Sequence, residues 1–117
     1  MLALVSVLLL LGGLAHAAAF KKASNAVEAS SMTPFYSNSF KGLWLIDAAT
    51  LVTLALIFAF ISIRPSTVSG AVVAMLALLP AGTALVLYRF MGPFVPAHIL
   101  LLCAILTGIA GILMSRG

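Results

Sequence analysis

The chain has 117 residues, of which 64% are hydrophobic and only 7% charged. Soluble domains are ordinarily about 45–50% apolar and about 25% charged, so a water-soluble fold of this composition would expose large apolar patches and aggregate. The net charge of +4 comes from basic residues scattered along the chain with no clustered basic face, which excludes a nucleic-acid-binding surface.

Four apolar blocks, about 2–20, 43–63, 68–88 and 97–114, fill most of the sequence. Each holds about 18–21 residues, which spans a hydrocarbon core of about 30 Å as a helix rising about 1.5 Å per residue. The expected fold is all-α: one integral membrane domain over residues 1–117, with four transmembrane helices in an up-down-up-down bundle.

The first block begins like a secretory signal. Leu2–Leu11 resembles an apolar signal core, and Ala15-His16-Ala17 fits a small-x-small cleavage site. No Lys or Arg precedes the apolar run, so the first block is expected to stay as a helix. A polar loop over 21–42 follows, rich in Ser and Asn and broken by Pro34. Within it, Ala23–Ser31 is expected to form a short interfacial helix capped by Ser24 or Asn25. Phe35, Tyr36, Phe40 and Trp44 lead into the second block as an aromatic belt at headgroup level.

The second block ends at Arg64-Pro65-Ser66-Thr67. So tight a connection predicts an antiparallel hairpin of the second and third helices, with Ser66 or Thr67 as the cap. Pro80 sits near the middle of the third block and predicts a local kink. The apolar third loop, Arg89–Pro96, is expected at the interface. Cys103 lies inside the fourth block and has no second cysteine to pair with, so it is read as a buried, inert thiol.

Small residues recur at spacings of three and four in Gly70, Ala74, Ala77, Ala81 and Ala84 and in Ala104, Gly108, Gly111 and Ser115; the second block carries the stripe Ala48, Ala55, Ala59 and Ser62, with Val52 filling one place, and the first block Ser6, Gly13 and Ala17. Lipid tails are as apolar as leucine, so helices in a bilayer gain most from close backbone approach, which small side chains permit. These stripes are expected to face neighbouring helices or another subunit.

Ionisable side chains gather at the ends of the blocks that share one membrane face. They are His16, Asp47, Arg89 and His98, with Tyr88, Lys41 and Glu28 close by in sequence. An ionisable group inside a membrane helix is costly and marks a functional-site candidate, Asp47 above all. Each residue also has a structural reading. Asp47 near a helix N-terminus is stabilised by the helix dipole, or tied to Lys41 or Arg89; the histidines sit at headgroup level. The chemistry open to the set includes a metal held by His16, Asp47 and His98, a haem held by two histidines, and proton relay through Asp47 and His16. Tyr88 and Arg89 fit an anionic lipid head or a quinone. No Gly-rich phosphate loop, His-Glu-x-x-His or Cys-x-x-Cys is present, which points away from an enzyme.

The expected function is a non-catalytic accessory or assembly subunit of a larger complex in a bacterial-type inner or plasma membrane. Its partners are the lipid bilayer and protein subunits or further copies of itself. The alternatives are a metal- or haem-binding redox module and a proton-coupled carrier using Asp47. Lys21, Lys22, Lys41 and Arg89 on one side against Arg64 and Arg116 on the other place the first loop in the cytoplasm.

Overall fold

The computed structural model describes all residues, Met1–Gly117. It is all-helical, with no strand: α1 (Leu2–Ala18), α2 (Phe20–Glu28), α3 (Pro34–Ile63), α4 (Gly70–Leu76), α5 (Leu78–Met91) and α6 (Val95–Arg116), with a 3₁₀ turn at Pro65–Thr67. Four helical segments are long and apolar enough to cross a membrane: Leu2–Glu28, Pro34–Ile63, Gly70–Met91 and Val95–Arg116.

The polar region 21–42 departs from the expected loop. Ala19 keeps helical dihedrals (φ −78°, ψ −4°), and the Ala19 and Ala23 amides continue the i→i−4 ladder. Thus α2 grows directly out of α1 and needs no Ser24 or Asn25 cap. At the other side, Thr33 is extended and Pro34 occupies the first turn of α3, where its missing N–H costs nothing. The second block therefore gains nine helical residues before Leu43. Only Ala29–Thr33 remains as a connection, tightened by Ser30 Oγ donating to the Val27 carbonyl at 2.6 Å. The Lys41 ammonium donates to Glu28 Oε1 and ties α2 to the start of α3. The molecule is correspondingly long, 55 × 24 × 21 Å.

The third block is split at Ala77, whose amide bonds back to Ala74 rather than Val73. Three residues on, Pro80 has no N–H for the Leu76 carbonyl and its ring presses on that turn. This is the expected irregularity at its physical cause. The cap of α4 is Ser69, not Ser66 or Thr67: its hydroxyl accepts from the Val72 amide at 3.3 Å, because Pro65–Thr67 is taken up by the 3₁₀ turn. Gly92 ends α5 with φ +75°, a left-handed conformation that a side chain would strain.

Packing follows the small residues at two seams. Along α1 and α3 the numbering runs in opposite directions. Ser6 Oγ donates to the Ala55 carbonyl at 2.7 Å, and Gly13 faces Ala48, Leu51 and Val52. Along α4 and α6, Gly70 lies on Gly111 and Ser115, Ala74 lies on Gly111, and Ala77 on Gly108. Ala55, Ala84 and Ala104 are buried, Ala59 and Ala81 are half-buried, and Ala17 is exposed. The interior is filled by Val5, Leu9, Phe58, Ile61 and Val73, while large apolar side chains cover the outside.

The hairpin expected of the second and third blocks does not close. α1 packs on α3 and on α6, and α6 packs on α4 and α5, but no residue of α3 comes within 8 Å (Cα to Cα) of α4 or α5. The turn joins α3 to α4 without bringing their faces together, and one side of the bundle stands open.

Candidate functional site

The ionisable cluster resolves into three pairs and an isolated arginine. Near the C-terminal end of α1, His16 Nε2 lies 3.3 Å from Asp47 Oδ2 on α3. The buried Nε2 makes this close contact but no hydrogen bond. The contact is a true ion pair when the imidazole is protonated. Trp44 completes this site. Its indole stacks on the His16 ring, with centroids 4.1 Å apart and planes 12° apart. Its Nε1 donates to the His16 carbonyl at 2.8 Å, one of the carbonyls near a helix end. Trp44 and Asp47 are three residues apart on α3, hence on one face, and both meet His16. Sequence reasoning placed Trp44 in the aromatic belt and missed this tie; the three-residue spacing from Asp47 was the available signal.

On the second pair of helices, Tyr88 Oη and His98 Nδ1 form a hydrogen bond at 2.5 Å, joining the end of α5 to the start of α6. Arg89 pairs with neither Asp47 nor Tyr88; its guanidinium lies 5.5 Å from the Phe90 ring centroid. Lys41, the other cation considered for Asp47, is held by Glu28 beyond the apolar part of the helices. That ammonium holds the Glu28 carboxyl below the usual carboxylate range, through its hydrogen bond and then its charge.

The ligand set His16, Asp47 and His98 is not assembled. His98 is turned to Tyr88, and no three His, Cys, Asp or Glu side chains come together as metal ligands would. The chemistry gathered at one place is narrower: a carboxylate, an imidazole and an indole on two helices.

Asp47 also lines the open side of the bundle. A groove of about 480 Å³ runs between it and α5, walled by Leu78, Leu79, Gly82, Thr83, Val86 and Leu87. The Thr83 hydroxyl donates to the Leu79 carbonyl at 2.9 Å, so its proton is spent within the helix. Asp47 is thus the only ionisable group on the groove wall, and its side chain is 41% exposed against 27% for His16. A second groove, at the opposite turn, is lined by Pro65, Ser66, Ser69 and Ser115 and holds no ionisable side chain.

No protein-family model, curated protein or solved structure matches this chain. Function therefore rests on the geometry alone.

Proposed function

We infer that the chain crosses a bacterial-type inner or plasma membrane four times, up-down-up-down, and serves as a non-catalytic accessory or assembly subunit of a larger membrane complex. The supporting features are four apolar helices and polar chemistry limited to a few interhelical ties. The observation that carries the reading is the helical extension beyond the apolar part. α3 has 30 residues, about 45 Å at 1.5 Å per residue against a hydrocarbon core of about 30 Å. The surplus, with α2 strapped to it by Lys41–Glu28, forms a projecting helical pair. On it Phe35 is 73% and Tyr36 63% exposed, packed edge to face at 5.4 Å between centroids. A rigid, aromatic-tipped extension above the bilayer suits contact with a partner subunit, since aromatic anchors dominate protein interfaces. With the first loop in the cytoplasm, this contact is cytoplasmic.

The experiment is purification in mild detergent from native membranes, with mass spectrometry of co-purifying proteins. A defined partner or a defined homo-oligomer is expected, lost in the Phe35→Ser/Tyr36→Ser double variant while helical content holds. A stable lone monomer counts against the reading. One observation favours a second reading, a proton-coupled carrier: Asp47 contacts the titratable His16 and lines the groove at once. There Asp47→Asn abolishes proton-coupled flux in liposomes with folding intact, and unchanged flux ends that reading.

A further inference from the structure

The groove between α3 and α5 holds a charge that its walls do not answer. His16 Nε2 engages Oδ2 of Asp47 and leaves the other carboxylate oxygen to a further donor. The facing wall offers only Leu78, Leu79, Gly82, Val86 and Leu87 and the committed hydroxyl of Thr83. A carboxylate turned to hydrocarbon is costly. The occupant must therefore be apolar along the groove and cationic at the level of Asp47.

The helix register gives that level. Asp47 stands sixteen residues before Ile63, the end of α3, and Val86 stands sixteen residues after Gly70, the start of α4. Both lie about 24 Å along their helices from the intervening turn. Leu78 and Leu79 lie about 10–12 Å deeper than Val86. Trp44 is one turn outward of Asp47, and Tyr88 is just outward of Val86. Amphipathic rings sit at the headgroup boundary. The carboxylate therefore lies just beneath the headgroups, and the apolar part of the groove runs inward from it. That is the polarity of a phospholipid with its amine outward and its acyl chain inward.

We propose that this groove binds a phospholipid whose headgroup carries an ammonium, of the phosphatidylethanolamine type. The ammonium meets Asp47, and one acyl chain lies deeper, along Leu78, Leu79 and Gly82. The groove's walled length, Leu78–Leu87, is about 15 Å, half of a membrane span; it suits one acyl chain better than a whole partner helix. Its volume of about 480 Å³ is that of a ligand site. The proposal does not depend on the accessory-subunit reading.

The test uses the full chain reconstituted into vesicles of equal phosphatidylethanolamine and phosphatidylglycerol with identical acyl chains. The protein is then extracted in mild detergent, and retained lipid is counted by native mass spectrometry. One tightly held phosphatidylethanolamine is expected, preferred about tenfold, the size of one charge-assisted hydrogen bond. Asp47→Asn keeps the shape, removes the charge and brings the preference to about unity. Gly82→Leu puts a side chain into the groove, where a Cβ added at this position meets nothing within 4 Å, and it releases the lipid whatever its headgroup. Should Asp47→Asn fail to fold, Gly82→Leu decides alone. Equal retention of the two lipids, a preference that survives Asp47→Asn, lipid retained by Gly82→Leu, or a protein helix cross-linked into the groove each overturns the proposal.

Discussion

The seam between α4 and α6 and the gap between α3 and α5 use similar residues to opposite ends. At the seam, a Cβ on Gly111 would run into the backbone of Ala74 and Gly70, and one on Gly70 into Ser115 and Gly111. At the gap, a Cβ on Gly82 meets nothing within 4 Å. All three glycines sit in apolar helices, and none is needed for an unusual dihedral, since Gly92 alone has positive φ. A small residue in a membrane helix thus permits close approach without causing it; approach also needs a facing surface that fits. Gly111 has one in Gly70 and Ala74, whereas Gly82 faces Asp47 across a groove.

The largest expected effect breaks the seam. Gly111→Leu forces α4 away from α6 and is expected to cost about 3 kcal/mol, the upper range for overpacking against backbone that cannot yield. Gly82→Leu is expected to be neutral or to stabilise by up to about 1 kcal/mol through helix propensity. Reversible unfolding in mixed micelles measures both, and equal losses at the two sites would erase the distinction. Gly13→Ala falls between them. Its Cβ would lie 2.9 Å from the Val52 Cγ2 methyl, which can rotate, but also 3.1 Å from Leu51 Cβ and 3.2 Å from the Ala48 carbonyl, which cannot. The expected cost is about 1 kcal/mol. Gly12→Ala, with open space around it, is the neutral control for the same assay.

The apolar blocks and the break near Pro80 were legible because length, hydropathy and proline chemistry are local properties. The continuity of α2 with α1 and the helical nature of 34–42 were not, because the Ser, Asn and Lys content of this region reads as loop. What makes it helical is continuation of ladders already nucleated in α1 and α3, and helix propagation is far less demanding than nucleation. The open side was also hidden. Loop length constrains which helices follow one another, not whether their faces mate, and the Ala-rich stripe of α5 looks the same whether or not α3 covers it. Of the ionisable cluster, the grouping of His16 with Asp47 was legible, but the diversion of His98 to Tyr88 was not. That choice depends on the crossing of α5 and α6, which no spacing in the sequence encodes.

The α1–α3 seam is sharpened by one of its polar ties, the Trp44 hydrogen bond. Trp44→Phe keeps an aromatic ring against His16 but removes the donor to the His16 carbonyl. The expected loss is about 1 kcal/mol, the net worth of a typical intramolecular hydrogen bond. The same unfolding assay measures it. A loss as large as that of Gly111→Leu would show that polar ties, rather than close backbone packing, hold these helices together.

The smallest effect lies at the Glu28–Lys41 pair, whose carboxylate is exposed and so screened. The Lys41 ammonium holds the Glu28 carboxyl below its ordinary value, so the folded state binds a proton at Glu28 less readily than the unfolded state does. The sign follows directly. Whatever the pair contributes is fully present at neutral pH, above the unfolded carboxylate value of about 4, and is lost as pH falls through the depressed folded value. Both side chains belong to α2 and the first part of α3, so the change should be local. Hydrogen exchange of amides in α2 and the first two turns of α3 is expected to quicken on acidification, after correction for intrinsic rates, while α4–α6 amides hold. Glu28→Gln should show the faster exchange already at neutral pH and little further change below it. If the variant and the parent exchange alike at neutral pH, the ladders alone hold the extension, and the strap adds only direction to a helix pair that would stand without it.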